Sequence, residues 1–173
     1  MFQHAYMYAS AKEGLIPDVY VQNEEYFEAY KDEIRALYRQ GVGEPIDMVA
    51  IHVRRGDYVG NPYYVDLMDT EYYEDAMDLF PGEKFLVFSD DIEWCKQQEI
   101  FKDCEFIHGT ELTDMNDMAS CSGQIIANSS FSWWAAWITP YSKRIIAPSI
   151  KNWYTDGIER TICPPEWIRL WLS

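Results

Sequence analysis

Apolar and polar positions along this chain switch period repeatedly, and from about residue 46 they do so in a regular rhythm. Continuous apolar runs predict buried strands over Asp47–Val53, Lys84–Ser89, Glu105–Ile107, Gln124–Ala127 and Arg144–Ala147. Between them, apolar residues recur at helical spacing. These stretches predict helices over Glu71–Leu79 (capped by Thr70), Ile92–Glu99, from Thr113 or Asp114 to Ser120, and Phe131–Ile138. Pro164-Pro165 reads as the start of a terminal helix, Glu166–Leu172. Ahead of this region the pattern predicts a helix over Phe2–Lys12, a short strand Asp18–Val21, and a helix capped by Asn23 and running to about Arg39. The cluster Gly41-Val42-Gly43-Glu44-Pro45 breaks the pattern and sets a boundary between residues 1–44 and 45–173. Strands that are apolar throughout, alternating with helices, indicate an α/β fold: a Rossmann-like parallel sheet with helices on both faces.

At 48% hydrophobic, the chain can build a full core. Its 29 acidic residues against 14 basic ones give a net charge of −15, a field that repels nucleic acid and anionic lipid unless a local basic patch intervenes. Outside Arg54-Arg55, Lys143-Arg144 is the only adjacent basic pair. Nucleic acid is therefore not an expected partner. No apolar stretch is long enough to span a bilayer. Cys95, Cys104, Cys121 and Cys163 are widely and irregularly spaced, without a C-x-x-C pair. They read as free thiols of a cytoplasmic protein rather than as a zinc or redox site.

The most informative segment is His52-Val53-Arg54-Arg55-Gly56-Asp57-Tyr58, which directly follows the first buried strand. Ligands of open α/β sheets bind at the carboxyl ends of strands. Paired guanidiniums suit phosphate oxygens, because each planar fork donates two parallel charge-assisted hydrogen bonds. The segment therefore reads as a diphosphate site, with Gly56 allowing close backbone approach and Asp57 orienting an arginine or bonding a sugar hydroxyl. His52 reads either as a satisfied core imidazole or as a ligand contact, with contact favoured over proton abstraction. In Ser89-Asp90-Asp91, Asp91 caps the next helix while Asp90 is free to accept from a ligand such as guanine. Asn128-Ser129-Ser130-Phe131 forms a hydroxyl-rich turn into a helix, where free N–H groups favour an anion. No metal-ligand pattern is present in the sequence, and no metal is expected.

Taken together, three segments resemble the α-1,2-fucosyltransferases, glycosyltransferase family 11. They are His52 to Tyr58, Phe85 to Asp91 with Trp94-Cys95, and Asn128 to Trp137. Leu112 to Ser122 and the opening Met1-Phe2-Gln3-His4-Ala5-Tyr6 are also similar to that family's segments. The resemblance implies a GT-B fold and a metal-independent, inverting transfer of L-fucose from GDP-β-L-fucose to the 2-hydroxyl of a galactose-containing oligosaccharide or glycolipid. It implies that Arg54 and Arg55 hold the diphosphate and stabilise the leaving GDP, with Asp57 against the fucose; these three are the expected catalytic residues. His52, Asp90, Asn128, Ser129, Ser130 and Phe131 are expected to line the GDP-fucose site. No cofactor beyond the donor substrate is implied, and the motifs do not identify a general base.

Only about forty residues precede the donor-binding half. Residues 1–44 therefore read as a reduced remnant of the acceptor-side domain, and 45–173 as the donor-binding domain. A face left by a missing domain would favour self-association. The site of action implied is the cytoplasm, peripheral to the membrane where glycan precursors are built. The alternative to a transferase is a module that binds GDP-fucose or GDP without transferring sugar.

Overall fold

The buried run of the first strand anchors the fold. The computed structural model describes residues 1, 24, 27–149, 153 and 163–171. Strand β1 (Ile46–Val53) is buried from Val49 to Val53 because it lies between two neighbours, β2 (Phe85–Ser89) and β4 (Cys121–Ile125). With β3 (Glu105–Phe106), β5 (Ile145–Pro148) and β6 (Ile168–Leu170), they form a sheet of order β3-β2-β1-β4-β5-β6 in which every pair is parallel. The helices are α1 (Lys31–Tyr38), α2 (Tyr72–Asp78), α3 (Ile92–Cys95), α4 (Glu111–Ser120) and α5 (Ser130–Ile138).

Alternation along β1 sends side chains to both faces. Val49, Ile51 and Val53 pack with Tyr72, Tyr73, Ala76 and Phe101, whereas Ala50 packs with Met118 and Ala135. The sheet is thus covered on both sides, as uniformly apolar strands require. The buried tyrosine hydroxyls find acceptors: Tyr72 donates to the Ile126 carbonyl at 2.6 Å and Tyr73 to the His52 carbonyl at 2.9 Å. Helix α5 is buried from Ser132 to Ile138, in keeping with a sequence that is apolar all round. Its Trp134 and Trp137 pack on Phe27 and Ile34, the latter from α1.

Several expectations change at element ends. Helix α4 starts at Glu111, two residues before Thr113, because Thr110 and Thr113 form a reciprocal capping box. It runs without a loop into β4, which begins at Cys121 rather than Gln124. Helix α3 is one turn, followed by a 3₁₀ turn at Glu99–Phe101. The expected terminal helix from Glu166 is instead strand β6 over Ile168–Leu170. An isolated helix this short gains little from its own hydrogen bonds, whereas the open edge of β5 supplies a ladder, with the Ser149 N–H donating to the Leu170 carbonyl at 2.7 Å. The helix expected over 2–12, the strand over 18–21 and the Asn23 cap lie outside the described residues.

Candidate functional site

Sheet order reverses direction beside β1, and there a cleft of about 340 Å³ opens at the carboxyl ends of the strands. His52 and Arg54 enter it from the end of β1, Ser89 and Asp90 from the end of β2, and Ser129 to Phe131 from the start of α5. Parallel pairing aligns Val53 with Ser89, which brings the two strand-end segments side by side.

Arg54 is the cation of this cleft, and it is held between two carboxylates. Its Nη1 pairs with Asp90 Oδ2 at 2.8 Å, and its Nη2 with Asp57 Oδ1 at 2.5 Å. Asp90 also accepts the Arg55 backbone N–H through Oδ1 at 2.8 Å, so both of its oxygens hold the β1 end in place. Glycine at 56 lets the chain pass close to this carboxylate: a Cβ there would sit 2.4 Å from Asp90 Oδ2, and that side chain would have to shift. Past it, a 3₁₀ turn (Gly56–Tyr58) places the Tyr58 ring flat on Tyr64, centroids 4.0 Å apart. Tyr58 Oη donates to the Asn128 carbonyl at 3.0 Å and ties this loop to the segment before α5.

Arg55 is not among the residues lining the cleft. Its guanidinium lies 3.6 Å from the Trp94 ring centroid and pairs with Asp66 at 2.9 Å, at 12% and 19% side-chain exposure. The chain turns at Arg55 (φ −117°, ψ −84°), just past the strand end, and one arginine faces the cleft while the other locks the loop behind it. Asn128 is likewise buried away from the cleft, its amide donating to the carbonyls of Val65 and Trp153.

His52 is 4% exposed, with its ring 5.2 Å from that of Phe131. Burial first, and the Arg54 charge second, push its pKa down to about 3. It is therefore neutral through the physiological range. Its Nδ1 is buried without a hydrogen-bond partner among the described residues. A neutral imidazole at the floor of a cleft can offer a ligand a hydrogen bond, and with its pKa lowered it is a weak proton acceptor near pH 7.

At the opposite wall, Ser129 caps α5 by accepting the Phe131 N–H, and the exposed Ser130 begins the helix. The free N–H groups of that first turn carry partial positive charge toward the cleft. The structure therefore brings His52, Arg54, Asp57, Asp90, Ser129, Ser130 and Phe131 together around one space. It adds Tyr58, Tyr64, Phe88, Ser89 and Glu111, which sequence reasoning did not assign. Tyr58 was within reach, as the last residue of the arginine motif; Tyr64 and Glu111 carry no local signal.

The four cysteines are free, and burial raises the thiol pKa of each, to about 12 for Cys121 and Cys163. Reactive thiolates need the opposite shift. Among the described residues no group of three or more His, Cys, Asp or Glu side chains could hold a metal ion, and no helix is long and apolar enough to cross a membrane.

A strand-end arginine and a helix N-terminus thus line one cleft of an α/β domain. The chain belongs to glycosyl transferase family 11, whose sequence model matches residues 6–170. It is 38% identical over 176 residues to an alpha-1,2-colitosyltransferase of Escherichia coli, covering 86% of this chain and 60% of that protein. It is 28% identical over 185 residues to the O-antigen biosynthesis glycosyltransferase WbnK of Escherichia coli, covering 98% of this chain and 59% of that one. The mouse galactoside 2-alpha-L-fucosyltransferase Sec1 is 31% identical over 119 residues, 61% of this chain and 32% of its own. The chain thus spans about 60% of the length of the two bacterial relatives.

Proposed function

We propose that this protein transfers L-fucose from GDP-β-L-fucose to the 2-hydroxyl of a galactose-containing glycan, with inversion and without a metal. In this reading the described sheet is the donor-binding half of a GT-B arrangement, and residues 1–44 belong to the acceptor side. The observation that carries it is the convergence of Arg54, His52 and the start of α5 on one cleft at the strand ends. Family membership and the names of the relatives support it.

The diphosphate sits between the Arg54 guanidinium and the first-turn N–H groups of α5. To bind there it displaces carboxylate from Arg54: the Asp57 contact, at 66% exposure, gives way, while Asp90 stays braced by the Arg55 N–H. As the glycosidic bond breaks, negative charge grows on the departing diphosphate, and a preplaced guanidinium stabilises it without reorganisation. His52 donates or accepts a hydrogen bond as a neutral ring. Arg55 positions the loop through Asp66 and Trp94 rather than touching the donor.

The test is thermal stabilisation by GDP and by GDP-fucose without added metal, in wild type and Arg54→Ala. Ligand at about 100 times its Kd adds roughly 2.7 kcal/mol. A clear shift in wild type, lost in Arg54→Ala, supports the donor site; no shift in a folded wild-type protein refutes it. Binding followed by no fucosylated galactoside across a panel of acceptors leaves a GDP-fucose-binding module and removes the transferase. A second donor is favoured by the 38% identical relative named for colitose, and a colitosyl donor that outcompetes GDP-fucose would reassign the sugar.

A further inference from the structure

A second cleft, also about 340 Å³, opens at the other end of the sheet, where Ile145 and Ile168 begin β5 and β6 and where α5 ends. The 9 residues of α5 separate it from the first cleft, about 13 Å at 1.5 Å per residue. Four cations border it, Arg35, Arg39, Lys143 and Arg144, against one carboxylate, Glu166. In a chain with only 14 basic residues and a net charge of −15, that concentration calls for a cause. None of the four forms an ion pair among the described residues.

Part of the cause is structural. Arg35 Nε donates to the Trp137 carbonyl at 3.0 Å, and its guanidinium lies 4.4 Å from the Trp137 ring centroid. Arg39 donates through Nε to the Ile138 carbonyl and through Nη2 to the Thr139 carbonyl. These bonds close the C-terminal end of α5, whose orphan carbonyls carry partial negative charge. They leave both Nη groups of Arg35 and Nη1 of Arg39 without a partner among the described residues. Arg144 reaches the Leu79 carbonyl, and the Lys143 side chain is exposed, its ammonium without a bond among the described residues. Burial and the neighbouring Arg35 charge both lower the Arg39 pKa, so the two guanidiniums repel one another, with Asp32 opposing at Arg39 and Glu24 at Arg35.

We propose that this second cleft is a phosphate-binding site, taking a phosphate or diphosphate group among Arg35, Arg39 and Lys143. Four cations and Glu166 line the cleft, while Glu24 and Asp32 act on Arg35 and Arg39 from beside it, so the cleft stays positive by less than its lining alone suggests. The argument for phosphate is the set of free guanidinium N–H donors, whose planar forks suit phosphate oxygens. The ligand is either a soluble phosphate ester or the phosphate headgroup of a lipid. The site goes beyond the reading of the first cleft and does not depend on it.

The test is titration of inorganic pyrophosphate into ¹⁵N-labelled protein, read at the indole N–H signals of Trp137 and Trp167, both of which line this cleft. Arg54→Ala is titrated alongside, so that occupancy of the first cleft is read separately. The expected result is a saturable shift of both indoles in both proteins with a Kd of about 1 mM or tighter. Lys143→Glu, an exposed change that leaves the α5 cap intact, should weaken it about three- to tenfold, and Lys143→Gln by less. Flotation with phosphatidic acid vesicles, against phosphatidylcholine alone, then separates the sources. Retention lost in Lys143→Glu assigns a lipid headgroup, and no retention assigns a soluble ester. Indoles that do not shift overturn the proposal whatever the vesicles do, as does a shift that Lys143→Glu leaves unweakened.

Discussion

Lowering the pH from 7 to 5 should destabilise this protein through His52, and His52→Gln should remove that part of the loss. In the unfolded chain the imidazole titrates near 6.5; in the folded chain burial and Arg54 hold it at about 3. Between those values the unfolded state binds a proton that the folded state refuses, so stability falls as pH falls, by about 1.4 kcal/mol per unit at the steepest. From pH 7 to pH 5 the difference comes to about 2 kcal/mol, a large part of an ordinary domain's stability. Partly buried carboxyls act with the opposite sign. Burial raises the pKa of Glu24 and of Asp117, so each adds stability as pH falls through its range. The measurement is therefore a comparison: urea unfolding of wild type and His52→Gln at pH 7 and pH 5, followed by tryptophan fluorescence. The wild type should lose about 2 kcal/mol more than the variant across the interval. Equal losses would show that His52 takes up its proton in the folded protein, and would return it to the list of candidate acids and bases in the cleft.

Two further substitutions probe the loop behind the cleft. Arg55→Ala should lower stability by about 2–3 kcal/mol in urea unfolding, through loss of the largely buried Asp66 pair and of the stacking on Trp94. Arg55→Lys should recover only part, since an ammonium lacks the planar face; an Arg55→Ala protein as stable as wild type would refute the assigned role. Gly56→Ala places a Cβ against Asp90 and should loosen the brace on Arg54. GDP affinity by calorimetry should drop about tenfold, roughly 1.4 kcal/mol, with little change in melting; unchanged affinity would mean Asp90 does not set the Arg54 position.

The sheet was legible because uniformly apolar strands such as Val49–Val53 have few other places to go in an α/β chain. What escaped was decided by partners distant in sequence. Trp167 to Leu170 has the residues of a short helix, and only the unfilled edge of β5 makes it a strand. Thr110 was passed over as a cap because the reciprocal bond comes from a second threonine rather than the usual Glu or Gln. In the cleft, the motif named most of the residues that meet, but adjacency in sequence could not show that Arg54 and Arg55 part company. That depends on Asp66 and Trp94, 11 and 39 positions beyond Arg55. Asn128 misled for the same reason: it sits in a strand-to-helix turn rich in hydroxyls, yet its amide serves the backbone around Val65 and Trp153.

The division between the two neighbouring arginines bears on how defects at this motif would be repaired. Damage at Arg55 is a loss of folded population, so it should be temperature-sensitive and open to correction by unrelated stabilising changes elsewhere in the chain, or by growth in the cold. Damage at Arg54 removes the charge that the proposed donor site relies on, and no gain in fold stability restores it. In a genetic screen, global suppressors should therefore cluster behind one position and be absent behind the next, although the two mutations start from the same phenotype.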